Sequence, residues 1–191
     1  MDREARGHVG QARTAELAPF LDGIAARTVA PAGGSAIAVV GAIGASLAGM
    51  AAVHTLASDH ESAAGLATIR DRLAADRSTL VALAEADARA VDAAFGGEAD
   101  PLDRAEREQL AAVPLAIAEA CRNAISRARD LRTRVKQSVK RDLQTAITLL
   151  TGAIRAAVEM ADQNSDLPSG RAAERLRERV AAVAASSAIE W

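Results

Sequence analysis

Apolar residues recur at steps of three and four through most of the chain, which is the spacing of one face of an α-helix. The stripe is clearest between Val139 and Asn164, where it comprises Leu143, Ile147, Leu150, Ile154, Val158 and Ala161. Glycine, proline and asparagine separate the periodic segments. The pattern predicts an all-α, single-domain helical bundle of about six helices, at residues 14–26, 35–57, 58–95, 100–131, 139–164 and 169–185.

Residues that commonly cap helices predict where several of the helices begin. Ser35 is a predicted N-cap for the second helix, and residues 58–59, a serine and an aspartate, can cap the third. Asp100 is the predicted N-cap of the fourth helix, with Pro101 at the first helical position, where its missing N–H is tolerated. Pro114 lies inside that helix, where it removes one backbone hydrogen bond.

Composition supports the all-helical prediction and excludes several classes of protein. Alanine makes up roughly a quarter of the chain and tyrosine is absent, which favours helices over strands. A hydrophobic fraction of 50% excludes intrinsic disorder, and a net charge of −2 gives no basic footprint for nucleic acid. The single cysteine, Cys121, excludes a disulfide framework and a cysteine-based zinc site. The three histidines show no metal-ligand spacing, so no metal site is predicted.

The chain is interpreted as a flexible N-terminus, residues 1–13, followed by one helical domain, residues 14–191. The N-terminus lacks the apolar core of a secretory signal, which predicts a cytoplasmic protein. Residues 36–53 carry no charge and are long enough to span a membrane. Because they are mostly alanine and glycine, which contribute little insertion energy, they predict a buried helix of a soluble protein and no membrane partner.

Small residues recur every four positions in this helix, at Gly41, Ala45 and Gly49. Such a stripe lets another backbone approach closely. Two interpretations follow from it: tight packing inside the core, or a groove through which two subunits dimerise. In either case Gly41→Leu should overpack the groove and cost about 1–3 kcal/mol of stability.

Candidate chemistry is sparse. The turn formed by Gly33, Gly34 and Ser35 opens onto a helix and can bind an anion, although it also suits an ordinary helix start. A step of four from the apolar stripe reaches Asp87, so a carboxylate occupies a position on the buried side, and Asp92 lies about 140° further around the helix. Asp142, near the start of the fifth helix, is either an acid/base or a cap.

Four segments, taken in order, resemble the cyclodeaminase/cyclohydrolase family, which includes the C-terminal domain of formiminotransferase-cyclodeaminase and methenyltetrahydrofolate cyclohydrolases. They are residues 21–36 with the proline–glycine–glycine–serine turn, residues 84–93 with two aspartates five apart, residues 113–115 around a proline, and residues 142–164. The resemblance spans roughly residues 17–164. Two departures stand out: Ala32 replaces a glycine of the turn, and residues 56–61 lack the family's lysine-rich segment ending in tyrosine.

The resemblance implies a helical homodimer with a folate pocket near the subunit interface. It implies either loss of ammonia from a formimino-tetrahydrofolate with ring closure, or hydrolysis of a methenyl bridge, with a tetrahydrofolate derivative as substrate and no permanently bound cofactor. It assigns acid/base roles to Asp87 and Asp142, and substrate binding to five residues: Gly33, Gly34, Ser35, Asp92 and Asn164. We expect the pocket where the glycine turn meets the start of the Asp142 helix. The alternative is a catalytically silent, homodimeric interaction or assembly module on the same fold.

Overall fold

The computed structural model describes residues 14–57, 63–97, 101–164 and 170–186. It contains six α-helices in these ranges: α1 (Ala18–Ala25), α2 (Gly33–Leu56), α3 (Ala63–Phe95), α4 (Arg104–Leu131), α5 (Lys140–Gln163) and α6 (Arg171–Ser186). Short 3₁₀ turns precede α1, at Thr14–Glu16, and α5, at Gln137–Val139. No strand occurs in the described ranges, so the predicted all-α bundle is confirmed.

α2 lies at the centre of the bundle and packs against α3, α4 and α5, while α6 packs on α4 and α5. Its alanines and glycines let the neighbouring helices approach closely. A Cβ on Gly41 would lie 2.6 Å from Cys121 Sγ of α4, and one on Gly44 would lie 3.2 Å from the Ala146 carbonyl oxygen of α5. The small residues of α2 therefore pack inside the subunit.

This packing decides between the two interpretations of the small-residue stripe. Gly41 and Ala45 are buried, and Gly41 faces Cys121 and Leu80 of the same chain. Gly41 and Ala45 are thus core contacts and do not form a groove between two subunits, whereas Gly49 is half-buried and lines a surface groove. α2 is long and apolar enough to cross a membrane, but much of it is enclosed by the other helices, as a core helix would be.

Two predicted helix starts need correction. α2 begins at Gly33, with Ala32 in the N-cap position, so Ser35 belongs to the first turn and is not the cap. α4 begins at Arg104, because Asp103 and Glu106 form a reciprocal capping box that satisfies two backbone donors. Pro101 therefore precedes the helix instead of starting it.

Other predicted boundaries lie outside the described residues. These are the flexible N-terminus at residues 1–13, the cap at residues 58–59, Asp100, and the start of the last helix at residue 169.

Within the described part, α6 follows Gly170, whose φ of 60° is a left-handed conformation that glycine adopts without steric cost.

Candidate active site

The glycine turn and Asp87 form one cluster, which we call the turn site: Gly33, Gly34, Ser35 and Asp87. Ala32 has no side chain that can cap α2, and the carboxylate of Asp87 on α3 takes that role. Asp87 Oδ2 accepts hydrogen bonds from the Ser35 backbone N–H at 2.6 Å and from the Ser35 hydroxyl at 2.8 Å. Asp87 is only 4% exposed, so the helix start is closed by a buried carboxylate from another helix.

Gly34 has no side chain because the carboxylate occupies that space. A Cβ on Gly34 would lie 2.5 Å from Asp87 Cγ and closer still to Oδ1, which no real Cβ tolerates. Gly33 faces the far end of α5, where its Cβ would lie 3.0 Å from Met160 Cε. The two glycines therefore let α3 and α5 close over the start of α2.

The turn site keeps some hydrogen-bonding capacity unused. Within the described ranges, Asp87 Oδ1 accepts no hydrogen bond, and the backbone N–H groups of Gly33 and Gly34 have no acceptor. Backbone donors at a helix start bind anions and carbonyl oxygens. A carboxylate oxygen beside them can give or take a proton on the same ligand.

Asn164 lies at the same end of the bundle, but its amide is already engaged. Pro114 has no N–H and so leaves the carbonyl of Leu110, four residues earlier, without its helical partner. Asn164 Nδ2 donates to that carbonyl at 2.9 Å. Its observed role is therefore to satisfy a buried backbone acceptor, which uses one of the two N–H donors of its amide.

The aspartates five apart on α3 differ in environment, as their spacing predicts. Asp92 is exposed near the end of α3, whereas Asp87 is buried. Asp87 is shielded from bulk water, and its bonded partner is Ser35 rather than a cation.

The structure separates Asp142 from the turn site, which overturns the expected pocket. α2 and α5 run antiparallel, since Gly33 meets Met160 while Gly44 meets Leu150. Asp142 is 18 residues from Met160, about 27 Å along the helix. It is half-buried in the first turn of α5, at the opposite end of the bundle from the glycine turn.

A buried ion pair, which the sequence analysis missed, links α3 to α4. Arg127 Nη1 lies 2.8 Å from Asp76 Oδ2, and Asp76 is 8% exposed. Burial raises the pKa of Asp76, although the charge of Arg127 opposes that shift. Burial and the nearby Asp76 charge raise the pKa of Cys121 to about 12. The apolar stripe of α3 held the signal: between Leu73 and Leu80 it skips one turn, which residue 76 fills.

Metal ligation finds no support in this part of the chain. No three His, Cys, Asp or Glu side chains converge in residues 14–57, 63–97, 101–164 and 170–186 so as to hold a metal ion.

Comparison with known proteins gives a consistent result. The family model for formiminotransferase-cyclodeaminase matches residues 16–182. The fold is similar to the crystal structure of formiminotetrahydrofolate cyclodeaminase from Thermotoga maritima, with a TM-score of 0.82 and 20% sequence identity, over 90% of this chain and 89% of that chain. None of the curated protein sequences matches the chain significantly.

Proposed function

Because the chain belongs to the formiminotransferase-cyclodeaminase family, we propose that it is a cytoplasmic enzyme of C–N bond chemistry. Its substrate is a folate-like or small nitrogenous molecule, with a tetrahydrofolate derivative as the first candidate. The reaction is cyclodeamination or hydrolysis of a methenyl bridge. No permanently bound cofactor is needed, because neither reaction is a redox step and the protein has to supply only proton transfers.

The free oxygen of Asp87 is the observation that carries this proposal. Oδ2 is held by Ser35, so the carboxylate is fixed in position, while Oδ1 accepts no bond from a described residue. The unpaired N–H groups of Gly33 and Gly34 lie beside it at the start of α2. A buried carboxylate next to backbone donors can anchor a polar substrate and move its proton.

In cyclodeamination, a ring-closing nitrogen attacks the formimino carbon, and the bond from that carbon to the departing nitrogen breaks. The formimino group reacts in its protonated, cationic form: the attacking nitrogen loses a proton, the departing nitrogen gains it, and ammonia leaves a cationic methenyl bridge. Asp87 supplies one group able to perform both transfers in turn. In hydrolysis of a methenyl bridge, water adds to the bridge carbon and one of its two C–N bonds breaks. The same carboxylate takes a proton of the attacking water and returns it to the departing nitrogen, while the second water proton goes to solvent. Asp142, about 27 Å away along α5, cannot share this site within one subunit.

We place the homodimer contact on the outer face of α2, defined as Ala36, Val40, Ile43, Leu47 and Met50. These apolar residues are spaced by alternating steps of four and three, the pattern of a helix–helix contact. Val40 and Ile43 remain 37% and 45% exposed in the single chain. The described part of α2 carries no Asp, Glu, Lys or Arg, so two copies can meet about a twofold axis without like-charge repulsion.

This contact would bring the second subunit close to the turn site. Gly33 precedes Val40 by seven residues, two helical turns, and so lies on the same side of α2.

The dimer contact is tested by Ile43→Glu, which places a charge in the apolar face and should yield a folded monomer in analytical ultracentrifugation. Val81→Glu, which changes an exposed valine on α3, is the matched control and should remain dimeric. A monomeric wild type at micromolar concentration would contradict the dimer.

The catalytic proposal is tested by Asp87→Asn. Asparagine keeps an oxygen that can accept the Ser35 N–H but cannot transfer a proton. We expect the fold to persist while kcat for 5-formiminotetrahydrofolate falls by about 10²–10⁴-fold, the usual contribution of a general acid/base. Glu85→Gln, an exposed acid two residues away on α3, should keep wild-type activity. Full activity in the Asp87→Asn variant would leave Asp87 as a helix cap only.

The silent assembly module is the second candidate. It is favoured by the structural duties that Asp87 and Asn164 already perform, and by the absence of a lysine–tyrosine segment in residues 56–61. A wild-type protein that is dimeric but inactive on both 5-formimino- and 5,10-methenyltetrahydrofolate would support this alternative over the enzyme.

A further inference from the structure

A cavity of about 390 Å³ opens beside the start of α5, at the opposite end of the bundle from the turn site. It has a cationic side, formed by Arg132, Lys140 and Arg141, and an apolar side. The apolar side consists of Val135, Leu143 and Ile147, and Gln144 completes the lining. We call this the basic cavity.

The three cations of the basic cavity have no partner among the residues that the structure describes. Arg132, Lys140 and Arg141 make no side-chain hydrogen bond or ion pair with any residue the structure describes. By contrast, Arg127 pairs with Asp76. The donors that line the cavity are therefore available to a ligand.

Helix energetics do not explain why Lys140 and Arg141 stand where they do. Both lie in the first turn of α5, where the helix dipole disfavours positive charge. Arg129 and Arg132 are different, because they lie in the last turn and at the C-cap of α4, where a cation is favourable. Lys140 and Arg141 add like charges to the same opening as Arg132. The positions of Lys140 and Arg141 therefore oppose stability locally, as an anion-binding site does when empty.

The surrounding sequence is the most cationic part of the chain. Six lysines and arginines fall within residues 129–141, against one acid, Asp130, whereas the whole chain has a net charge of −2. The small net charge of the whole chain therefore does not reveal the positive region around the cavity. Such a region attracts anions before contact.

We propose that the basic cavity binds a small organic anion. A carboxylate or phosphate group pairs with Arg132, Lys140 and Arg141, and an apolar portion of the same molecule covers the small exposed parts of Val135, Leu143 and Ile147, which are otherwise buried in the subunit. The volume lies in the range of small-molecule pockets, and a concave, half-apolar site suits such a ligand better than a flat polyanion. This inference goes beyond the proposed function, because no step at Asp87 requires it.

The test uses 1-naphthyl phosphate, which combines a phosphate with an apolar ring, in isothermal titration calorimetry with the full-length chain. We expect saturable one-site binding that weakens as salt is added. Inorganic phosphate, which lacks the apolar portion, and 1-naphthol, which lacks the charge, should both bind more weakly.

Variants locate the binding. Arg141→Gln and Lys140→Gln should each weaken 1-naphthyl phosphate binding by about fivefold to tenfold, as loss of a charge-assisted hydrogen bond at an open site predicts. Arg155→Gln, an exposed cation further along the same helix, is the control and should bind like the wild type. The Asp87→Asn variant should also bind normally, so this test is independent of the proposed catalysis.

Three results would overturn the proposal. One is 1-naphthyl phosphate binding that none of the cavity substitutions changes. Another is equal affinity for inorganic phosphate, which would remove the role of the apolar side. The third is a combination of two observations. If 1-naphthyl phosphate binds no tighter than 1-naphthol, while vesicles of anionic phospholipid or duplex DNA bind strongly through the same cations, the region is a surface for polyanions.

Discussion

The turn site and the basic cavity lie at opposite ends of the bundle and use their polar groups in opposite ways. At the turn site, Asp87 is buried and bonded twice to Ser35. At the basic cavity, Lys140 and Arg141 are exposed and bonded to no described residue. The bonds of Asp87 at the turn site hold two helices together, whereas the cations of the basic cavity remain available to bind a ligand.

This difference shows that a recognisable motif and a free binding group need not coincide. The glycine turn resembles a family motif, yet most of its hydrogen bonds hold α2 to α3. The cations around α5 form no motif, yet they line a cavity of about 390 Å³. Substitutions at the two ends should therefore affect stability with opposite signs.

The largest expected effect is at Gly34. Gly34→Ala places a methyl group 2.5 Å from Asp87 Cγ, so α2 must move or the bonds to Ser35 must break. We expect a loss of about 3 kcal/mol of unfolding free energy, from overpacking together with a lost buried hydrogen bond. Urea denaturation measures it.

Gly152→Ala is the matched control, because a Cβ there meets nothing within 4 Å. Alanine is the better helix former, so this variant should gain about 1 kcal/mol. Equal stability of the Gly34→Ala variant and the wild type would mean that the carboxylate does not lie against the glycine.

A buried ion pair between the two ends offers an intermediate case. Arg127→Met removes the partner of Asp76, which then remains largely buried without compensation. We expect a loss of about 2 kcal/mol at neutral pH, less than for a fully buried pair because Arg127 is partly exposed. Arg104→Met, which breaks an exposed pair with Glu108, should change little.

The loss caused by Arg127→Met should depend on pH. Burial raises the pKa of Asp76 in the folded protein above the 3.8 of the unfolded chain. At a pH between these two pKa values, the folded protein keeps a proton that the unfolded chain has released. Stability therefore falls as pH rises through the interval between those two pKa values. Without Arg127 the pKa rises further, so the variant should lose more stability than the wild type between about pH 4 and about pH 7. If the unfolding free energies of the variant and the wild type differ by the same amount at about pH 4 and at about pH 7, this account is wrong.

The fold was predictable because it rests on local periodicity, and the same periodicity located Asp87. A regular step from Leu83 reaches Asp87, whose buried position is confirmed. Asp76 is harder to predict, because Leu73 and Leu80 on either side of it dominate the apolar stripe, and because its partner, Arg127, is 51 residues away. The role of Ser35 was misassigned for a related reason, since its acceptor comes from another helix.

The positions along the bundle could not be read from sequence in the same way. Nothing in a single helix shows which end of α2 lies beside the start of α5, so Asp142 was assigned to the wrong end. The basic cavity combines Arg132 from the segment after α4 with Lys140 from the first turn of α5. Such a site has no fixed spacing, and only the charge excess in residues 129–141 hints at it.

A smaller effect is expected where Asn164 compensates for Pro114. Asn164→Ala leaves the Leu110 carbonyl without a donor and should cost about 1 kcal/mol. In a Pro114→Ala background, residue 114 regains an N–H that can bond this carbonyl, so Asn164→Ala should then cost much less. Gln163→Ala, an exposed neighbour, is the control. An equal cost in both backgrounds would show that the two residues act independently.

The smallest expected effect has the opposite sign and lies at the basic cavity. Arg141→Glu replaces a cation in the first turn of α5 with an anion that the helix dipole favours, and it relieves repulsion with Arg132 and Lys140. We expect a gain of about 0.5 kcal/mol in unfolding free energy at low ionic strength, shrinking as salt screens the charges. Arg155→Glu, in the interior of the same helix, should show no such gain. The same Arg141→Glu variant should lose binding of 1-naphthyl phosphate, so that stability rises as binding falls. If it is instead less stable than the wild type, Arg141 supports the fold, and the contrast between a structural turn site and an unused basic cavity is wrong.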